Sequence, residues 1–329
     1  MMKKVVTFGE LLLRLSPENY LRFVQSAKYE ATFGGAEANV AVSLANYGMD
    51  VAFVTKLPAH EIGQAAVNAL REFGVDTSRI VRGGERVGIY YCEKGASQRP
   101  SKVIYDRAYS AIAMAKKEDF DWDKIFDGAD WFHFSGIVVA LGGELSEICL
   151  DACKEAKKRK ITVSCDINYR KTLWIEETAK MGLEKLFPYV DYCKDIFYFG
   201  ADEKEISKEK TISVVKEMVE KYNFKGVAVT FRETKSANDN NWSGMLYRKN
   251  EMYYSKRYAM HVVDRVGGGD AFMGGLIYAL MNEYEPQRVI EFAVAASCLK
   301  HSIEGDYNMV SVAEVMNLAG GNASGRVQR

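Results

Sequence analysis

Strand-like and helix-like segments alternate along most of this chain, and the alternation restricts the fold more than any other feature of the sequence. Strands that alternate with helices form a parallel sheet with helices on both faces. We therefore predict a doubly wound, Rossmann-like α/β fold. The predicted strands are 4–8, 51–55, 131–135, 161–166, 196–199 and 226–231, with a hairpin over 245–257, and the predicted helices are 36–47, 62–73, 144–159, 175–187, 271–284 and 288–302.

Two stretches, 11–33 and 87–107, depart from this alternation and contain only short β-patterned segments separated by turn residues. We expect them to form a small antiparallel sheet that covers a ligand as a lid, inserted into one domain of residues 1–318. A flexible tail would follow at 319–329. The exposed edge of such a sheet predicts a dimer through the lids. The predicted lid strands are 11–15, 21–24, 29–32, 87–92 and 102–105.

The composition excludes several classes of function. Of the 329 residues, 48% are apolar and 27% charged, as in ordinary globular proteins. The 44 basic residues balance the 44 acidic ones, so no net field would draw the molecule to nucleic acid or to a membrane. No apolar run could span a bilayer, and Glu10 and Arg14 interrupt the N-terminal apolar segment before any signal-peptide cleavage site. We therefore expect a cytoplasmic protein. Its six cysteines form no C-x-x-C pair and are expected to be reduced core thiols.

A glycine turn, Gly267-Gly268-Gly269, leads through Asp270 into an apolar helix. Glycines let the backbone approach a ligand, and the first N–H groups of a helix favour an anion. Asp270 would repel a phosphate, so its charge suits a general base, although a role as a simple helix cap stays open. The pattern is neither a phosphate-binding G-x-x-x-x-G-K-S/T loop nor a G-x-G-x-x-G dinucleotide fingerprint.

Two motifs together resemble those of a known family. The run from Asp264 to Asp270 has the form D-x-x-G-x-G-D, and the pair Gly34-Gly35 precedes Asn39 on a helix of small residues. In both motifs, and in their order, the chain resembles the ribokinase-like (PfkB) carbohydrate kinases. The resemblance implies a ribokinase-like fold with a β lid, ATP and Mg²⁺ as cofactors, and a sugar as the second substrate.

Two arginines point to an acidic sugar. Arg107 follows a lid strand and Arg170 follows a core strand. A guanidinium binds a carboxylate with two hydrogen bonds, whereas a neutral sugar needs no such partner. Ordinary pairing with nearby acids is the alternative for each. The segments 105–107, 166–174 and 299–308 also resemble the family branch that phosphorylates 2-keto-3-deoxygluconate.

The resemblance implies roles for particular residues. Asp270 would be the base, and the amides of Gly267, Gly268 and Gly269 would hold the phosphoryl group. Tyr90 and Tyr105 could instead be aromatic residues of the lid core. The implied sugar-acid contacts are Gly34, Gly35, Asn39, Tyr90, Tyr105, Arg107, Arg170 and Asp306, and the implied nucleotide contacts are Asn168, Thr230, Arg232, Gly267 and Gly269.

The sequence departs from the family pattern at three places. The N-x-x-E motif associated with magnesium lacks its Asn, which leaves Asp202, Glu203 and Glu205 as the candidate acids. The glycine-rich nucleotide turn is replaced by what the sequence predicts to be a longer polar loop over 230–244. Gly268 stands where Ala is common, and this glycine is expected to loosen the turn slightly.

These observations predict a magnesium-dependent kinase that makes the 6-phosphate of 2-keto-3-deoxygluconate from ATP. One alternative is a kinase of a neutral sugar such as fructose or ribose. Another is a sugar-acid sensor that has kept the fold and lost catalysis. Asp270 argues against the sensor, because a binding protein needs no base beside an anion site.

Overall fold

A computed structural model describes residues 3–197 and 207–322. The strands of this part of the chain are β1 (Lys4–Phe8), β2 (Leu12–Pro17), β3 (Tyr29–Gly34), β4 (Asp50–Val54), β5 (Lys56–Leu57), β6 (Val81–Arg82), β7 (Gly88–Glu93), β8 (Lys102–Asp106), β9 (Trp131–Ser135), β10 (Thr162–Asp166), β11 (Tyr192–Lys194), β12 (Gly226–Thr234), β13 (Asp239–Arg248), β14 (Glu251–Tyr254) and β15 (Tyr258–His261). The helices are α1 (Ala36–Asn46), α2 (Glu61–Arg71), α3 (Trp122–Ile125), α4 (Gly136–Ala140), α5 (Leu145–Lys158), α6 (Glu176–Glu184), α7 (Lys208–Tyr222), α8 (Gly268–Met281), α9 (Pro286–Lys300) and α10 (Val312–Ala319), with 3₁₀ turns at Lys117–Asp119 and Phe187–Tyr189.

The central sheet has the strand order β14-β13-β12-β11-β10-β9-β1-β4, and β15 pairs with β13. The neighbouring strands β12, β11, β10, β9, β1 and β4 are all parallel to one another. The pairings of β13 with β12, β14 and β15 are antiparallel. The parallel strands are buried on both faces, and for this reason their sequences are nearly continuous runs of apolar residues. This architecture confirms the predicted mainly parallel, doubly wound fold.

Two layers of helices cover the sheet. On one face α1, α2, α8, α9 and α10 pack in one apolar cluster, and on the other face α3 to α7 pack in a second. Close approach of α1 and α8 depends on small residues, because a side chain at Gly274 would lie 2.7 Å from Ser43 Cβ. Five of the six cysteines are buried in the molecule. In the described ranges, no helix is long and apolar enough to span a membrane.

A separate four-stranded sheet, β3-β2-β7-β8, is formed by the two stretches predicted as the lid; we call it the small sheet. The prediction that it is antiparallel is wrong at its centre, where β2 and β7 pair in parallel. The chain between these strands crosses the core through α1, β4 and α2, so it re-enters the small sheet in the same direction. The edge strand β8 is exposed along its whole length.

Three element predictions need correction. Residues 21–24 form turns rather than a strand, and the exposure of Leu21 and Val24 shows that they have no core face to bury. The strand predicted at 196–199 is Tyr192–Lys194 instead, because Asp195 adopts a left-handed φ of 66° and ends it. Residues 198 and 199 lie outside the described ranges.

The third correction concerns the polar segment 230–244. It is not a long loop, since β12 and β13 pair from Gly226–Arg248 to Thr234–Asn240 and leave only residues 235–238 as the turn. The predicted hairpin over 245–257 is present, with Lys249 and Asn250 at φ of 54° and 63° in its turn.

Candidate active site

Polar residues gather where the parallel strands end, at the carboxyl edge of the central sheet. Glu10 follows β1, and Ser135, Asp166 and Lys194 are the last residues of β9, β10 and β11. The helices α1 and α8 begin beside them. In open α/β sheets, this edge is where ligands bind.

The glycine turn at the start of α8 is shaped by its neighbours. Gly267 is the N-cap with a left-handed φ of 81°, and a side chain there would overlap the backbone oxygen of Asp306. Asp264 braces the turn by accepting hydrogen bonds from the N–H groups of Val266 (3.0 Å) and Gly305 (3.2 Å). A side chain at Gly268 would overlap the ring of His301. This glycine therefore makes room for the buried histidine.

Asp270 lies in the first turn of α8, half-buried and next to α1. Its Oδ2 accepts a hydrogen bond of 2.7 Å from Nδ2 of Asn39. Burial raises the pKa of Asp270 to about 6; the Asn39 hydrogen bond opposes this shift, while Asp166 adds to it. The first N–H that bonds back into the helix is that of Ala271, to Gly267 O at 2.8 Å. The amides of Gly269 and Asp270 thus precede the first helical hydrogen bond and are available to an anion.

Glu37 is a second buried carboxyl group near Asp270. Its Oε1 accepts hydrogen bonds from the backbone N–H (2.9 Å) and the hydroxyl (2.5 Å) of Ser135. Burial raises the pKa of Glu37 to about 7, and the charge of Asp270 adds to the shift. The site therefore holds two carboxyl groups that both bind protons more tightly than in water.

Asp306 belongs to a buried network that joins the small sheet to the core. One of its oxygens accepts hydrogen bonds of 2.6 Å from both Arg14 and the hydroxyl of Tyr90. Arg14 also donates to Asp264 at 2.7 Å. A side chain at Gly34 would overlap the carboxylate of Asp306, so this glycine lets β3 pass close to it. Of the predicted sugar contacts, Gly34, Tyr90 and Asp306 thus lie together.

The two predicted arginines differ in their surroundings. Arg107 donates from Nε to Glu10 Oε2 at 2.8 Å, and its guanidinium lies 5.0 Å above the centroid of the Tyr105 ring. Glu10 is almost fully buried, so Arg107 has an acidic partner inside the protein, as the alternative reading expected. Arg170 is exposed, and burial raises the pKa of both Tyr105 and Asp166, a shift that the nearby charge of Arg170 partly offsets.

Several aromatic and glycine contacts complete the predicted sugar side of the site. Tyr90 and Tyr105 are partners across β7 and β8, with ring centroids 5.9 Å apart, so both belong to the small sheet. Tyr90 is buried, whereas Tyr105 is 43% exposed and open to a ligand. A side chain at Gly35 would overlap the backbone oxygen of Glu10, which keeps the start of α1 close to the end of β1.

A buried ammonium lies between two carboxylates at the ends of β10 and β11. Lys194 Nζ is 3.0 Å from Asp166 Oδ2 and 2.9 Å from Asp195 Oδ2. Burial alone would lower the pKa of Lys194, but the two acids raise it above its usual value. Asn168, a predicted nucleotide contact, has a left-handed φ of 41° and donates its backbone N–H to Asp166 Oδ1 at 3.0 Å.

The other predicted nucleotide contacts lie on β12. Thr230 is half-buried, and Arg232 places its guanidinium 4.9 Å from the ring centroid of Trp242 and 3.4 Å from Nε2 of His301. His301 in turn packs against Gly268, so β12 and the glycine turn share a neighbour. This arrangement links the predicted nucleotide contacts to the start of α8.

The predicted magnesium ligands Asp202, Glu203 and Glu205 lie outside the described residues. Within 3–197 and 207–322, no group of three or more His, Cys, Asp or Glu side chains is placed to hold a metal ion. The carboxylates of Asp166 and Asp195 lie at this edge, but both are paired with the ammonium of Lys194.

Sequence reasoning did not identify several ionisable residues of the site. These residues are Glu10, Arg14, Glu37, Lys194, Lys300 and His301. Glu10 and Arg14 do stand out as charges within an apolar N-terminal segment, which is a sign of a buried ion pair. Lys194 ends a short apolar strand in the same way.

Comparison with known proteins gives consistent matches over nearly the whole length. The model of the pfkB family carbohydrate kinases matches residues 2–312. The 2-dehydro-3-deoxygalactonokinase of Haloferax volcanii is 32% identical over 98% of this chain and 99% of its own length. The 2-dehydro-3-deoxygluconokinase of Thermoproteus tenax is 27% identical over 93% and 90%. The crystal structure of 2-dehydro-3-deoxygluconokinase from Thermotoga maritima superimposes with a TM-score of 0.94 at 50% identity, over 98% of this chain and 99% of that one. These matches confirm the resemblance seen in the two motifs.

Proposed function

Because this chain belongs to the pfkB family of carbohydrate kinases, we propose that it phosphorylates the 6-hydroxyl of 2-keto-3-deoxygluconate, also called 2-dehydro-3-deoxygluconate. The observation that carries the proposal is the half-buried Asp270 in the first turn of α8, hydrogen-bonded to Asn39. A carboxylate held beside free helix amides can take a proton while those amides bind the phosphoryl group.

The choice of a sugar acid rests on relatives and on charge. Three similar proteins are named for 2-dehydro-3-deoxy sugar acids of the gluconate or galactonate series, which differ in the configuration at C4, and other relatives are named 5-dehydro-2-deoxygluconokinase. Arg107 and Arg170 lie at the rim formed by the small sheet and the end of β10, where a carboxylate would find a bidentate partner. Arg107 keeps N–H groups beyond those bonded to Glu10, and exposed Arg170 keeps its full guanidinium edge for a ligand.

In the proposed reaction, the oxygen of the 6-hydroxyl attacks the γ-phosphorus of ATP, the bond from that phosphorus to the bridging oxygen breaks, and ADP leaves. Asp270 accepts the hydroxyl proton. Asn39 holds the carboxylate of Asp270 in place, and the amides of Gly269 and Asp270 donate to the phosphoryl oxygens. Mg²⁺ brought by the nucleotide would screen the phosphate charge, and the acids that the sequence predicts for it are Asp202, Glu203 and Glu205.

Substrate-dependent release of ADP tests this proposal. With ATP and Mg²⁺ present, turnover is measured in parallel with 2-keto-3-deoxygluconate, its C4 epimer, gluconate, fructose and ribose. We expect turnover with the keto-deoxy acids and little with the other compounds. Turnover with a neutral sugar alone would support the kinase activity and reject a sugar acid as the substrate. No turnover with any compound would favour the sensor alternative.

A substitution of Arg170 tests the proposed contact between the arginines and the sugar acid. Arg170→Ala is expected to raise the KM for the sugar acid about tenfold or more, because a charged hydrogen-bond pair is lost. Arg257→Ala serves as the control, since Arg257 is similarly exposed and pairs with Glu233 on the surface. An unchanged KM in the Arg170 variant would remove Arg170 from the substrate site.

A further inference from the structure

The buried cluster of Asp166, Lys194 and Asp195 has no assigned role in catalysis. Lys194 is 5% exposed and ends β11, so its ammonium is fixed at the carboxyl edge of the sheet. Placing an ammonium in the interior costs free energy, and a neutral side chain of similar size could fill the same volume. The cluster is therefore a candidate for function rather than for stability alone.

The position of the ammonium relative to α8 suggests what it does. Lys194 Nζ lies 3.7 Å from the point where a side chain on Gly269 would begin. The ammonium therefore faces the first helical turn, where the amides of Gly269 and Asp270 are free. Because Gly269 has no side chain, nothing from that residue separates the ammonium from a ligand bound at the turn.

The local backbone holds the cluster in this position. Asp195 has a left-handed φ of 66°, which is uncommon for a residue with a side chain, and it places its carboxylate on Lys194. The backbone of Lys194 is fixed as well, since its carbonyl accepts the N–H of Ile167 at 3.0 Å. Strained backbone of this kind persists where the surrounding structure enforces it, and it is concentrated at functional sites.

We propose that Lys194 binds the γ-phosphoryl group of the nucleotide at the first turn of α8, with Asp166 and Asp195 holding its ammonium in position. This inference rests on the proposed kinase function and adds a cationic side chain to the Mg²⁺ that the nucleotide would bring. The amides supply partial positive charge, whereas the charge of the transferring group is distributed over three oxygens. A full positive charge held in a water-poor site offsets that charge more strongly than amides alone.

Nucleotide binding without turnover tests the inference. The affinity of Lys194→Met for ADP and for the non-hydrolysable analogue AMP-PNP is measured by calorimetry with Mg²⁺ and compared with wild type. Only AMP-PNP carries a γ-phosphate. We expect the variant to lose about tenfold or more in AMP-PNP affinity and less than about twofold in ADP affinity. Lys194→Arg, which keeps the charge, should recover most of the loss.

The matched control is Lys56→Met, which removes another partly buried lysine from its ion pair with Asp119 at 2.6 Å. It should change neither affinity. If Lys194→Met does not fold, the double variant Lys194→Met/Asp166→Asn removes the charge together with one partner and is measured in the same way.

The outcomes distinguish a failure of this inference from a failure of the proposed kinase function. Equal losses for ADP and AMP-PNP, or no loss for either, would reject the contact and leave Lys194 a structural residue. If wild-type protein binds neither nucleotide, the kinase proposal itself fails, and the Lys194 proposal fails with it.

Discussion

Burial changes the acid–base chemistry of individual carboxyl groups in this site. The pKa of Asp270 is raised to about 6 and that of Glu37 to about 7, in both cases mainly by desolvation. A base whose pKa lies just below neutral pH is ionised at pH 7 and still accepts a proton readily. Asp270 therefore has the ionisation that its proposed role requires.

The first prediction concerns the pH dependence of turnover. Below its pKa, Asp270 holds a proton and cannot accept another, so kcat should fall about tenfold per pH unit below about pH 6 and level off above it. Asn39→Ala removes a hydrogen bond that lowers the pKa of Asp270, so the profile of this variant should shift to higher pH. Rates measured between about pH 5 and 8 check both expectations.

Asp270→Asn provides the complementary variant. It should bind sugar and nucleotide about as wild type does and lose about a hundredfold or more in kcat, since only the base is removed. Near-normal turnover in this variant, or a wild-type profile without a step near pH 6, would contradict the assignment of Asp270 as the base.

At the scale of the element, the start of α8 depends on the conformation of one glycine. Gly267 combines a left-handed φ with close contact to the backbone of Asp306, so any side chain meets both strain and overlap. The glycine turn and the segment 300–306 are consequently packed as one unit, with Asp264 bonded to both.

Gly267→Ala tests this packing. We expect it to lower the free energy of unfolding by about 2–4 kcal/mol, from strain and overlap together, and to reduce kcat by displacing the amides. Gly48→Ala is the control, because Gly48 has nearly the same φ, 80°, with no atom within 4 Å of the added carbon. That variant should lose only about 1 kcal/mol. Urea unfolding measures both, and equal losses would show that overlap with Asp306 contributes nothing.

At the scale of the whole molecule, Arg14 connects the small sheet to the core. It lies on β2 yet pairs with two distant aspartates. Asp264 directly precedes the glycine turn, and Asp306 follows α9. Tyr90 on β7 bonds to the same Asp306. The orientation of the small sheet over the site is thus tied to the residues around the start of α8.

Arg14→Met should destabilise the protein by about 3–5 kcal/mol, because it leaves two buried carboxylates without their cation. Arg86→Met is the control, since its pair with Asp106 is partly exposed and should contribute less than about 1 kcal/mol. Thermal and denaturant unfolding compare the two. Losses of similar size would mean that the buried network contributes no more than a surface pair.

The sequence by itself determined the features that depend on neighbouring residues. Periodicity predicted most strands and helices, and two short motifs predicted the family and the position of Asp270. Predictions were wrong where local pattern and burial disagreed, as at Leu21 and Val24, which are apolar but exposed. Residues 230–244 of the β12–β13 hairpin were predicted as a loop because the polar residues Asn240 and Asn241 are buried only by the surrounding chain.

Only the tertiary structure determined which charges meet at the site. Arg14, Glu37 and Lys194 come from β2, α1 and β11, and nothing in their local sequence names Asp306, Ser135 or Asp166 as partners. The pKa and the binding strength of a charged group depend on its burial and on the other charges within a few ångströms. Those neighbours are brought together by packing between segments far apart in sequence, which local residue patterns do not encode.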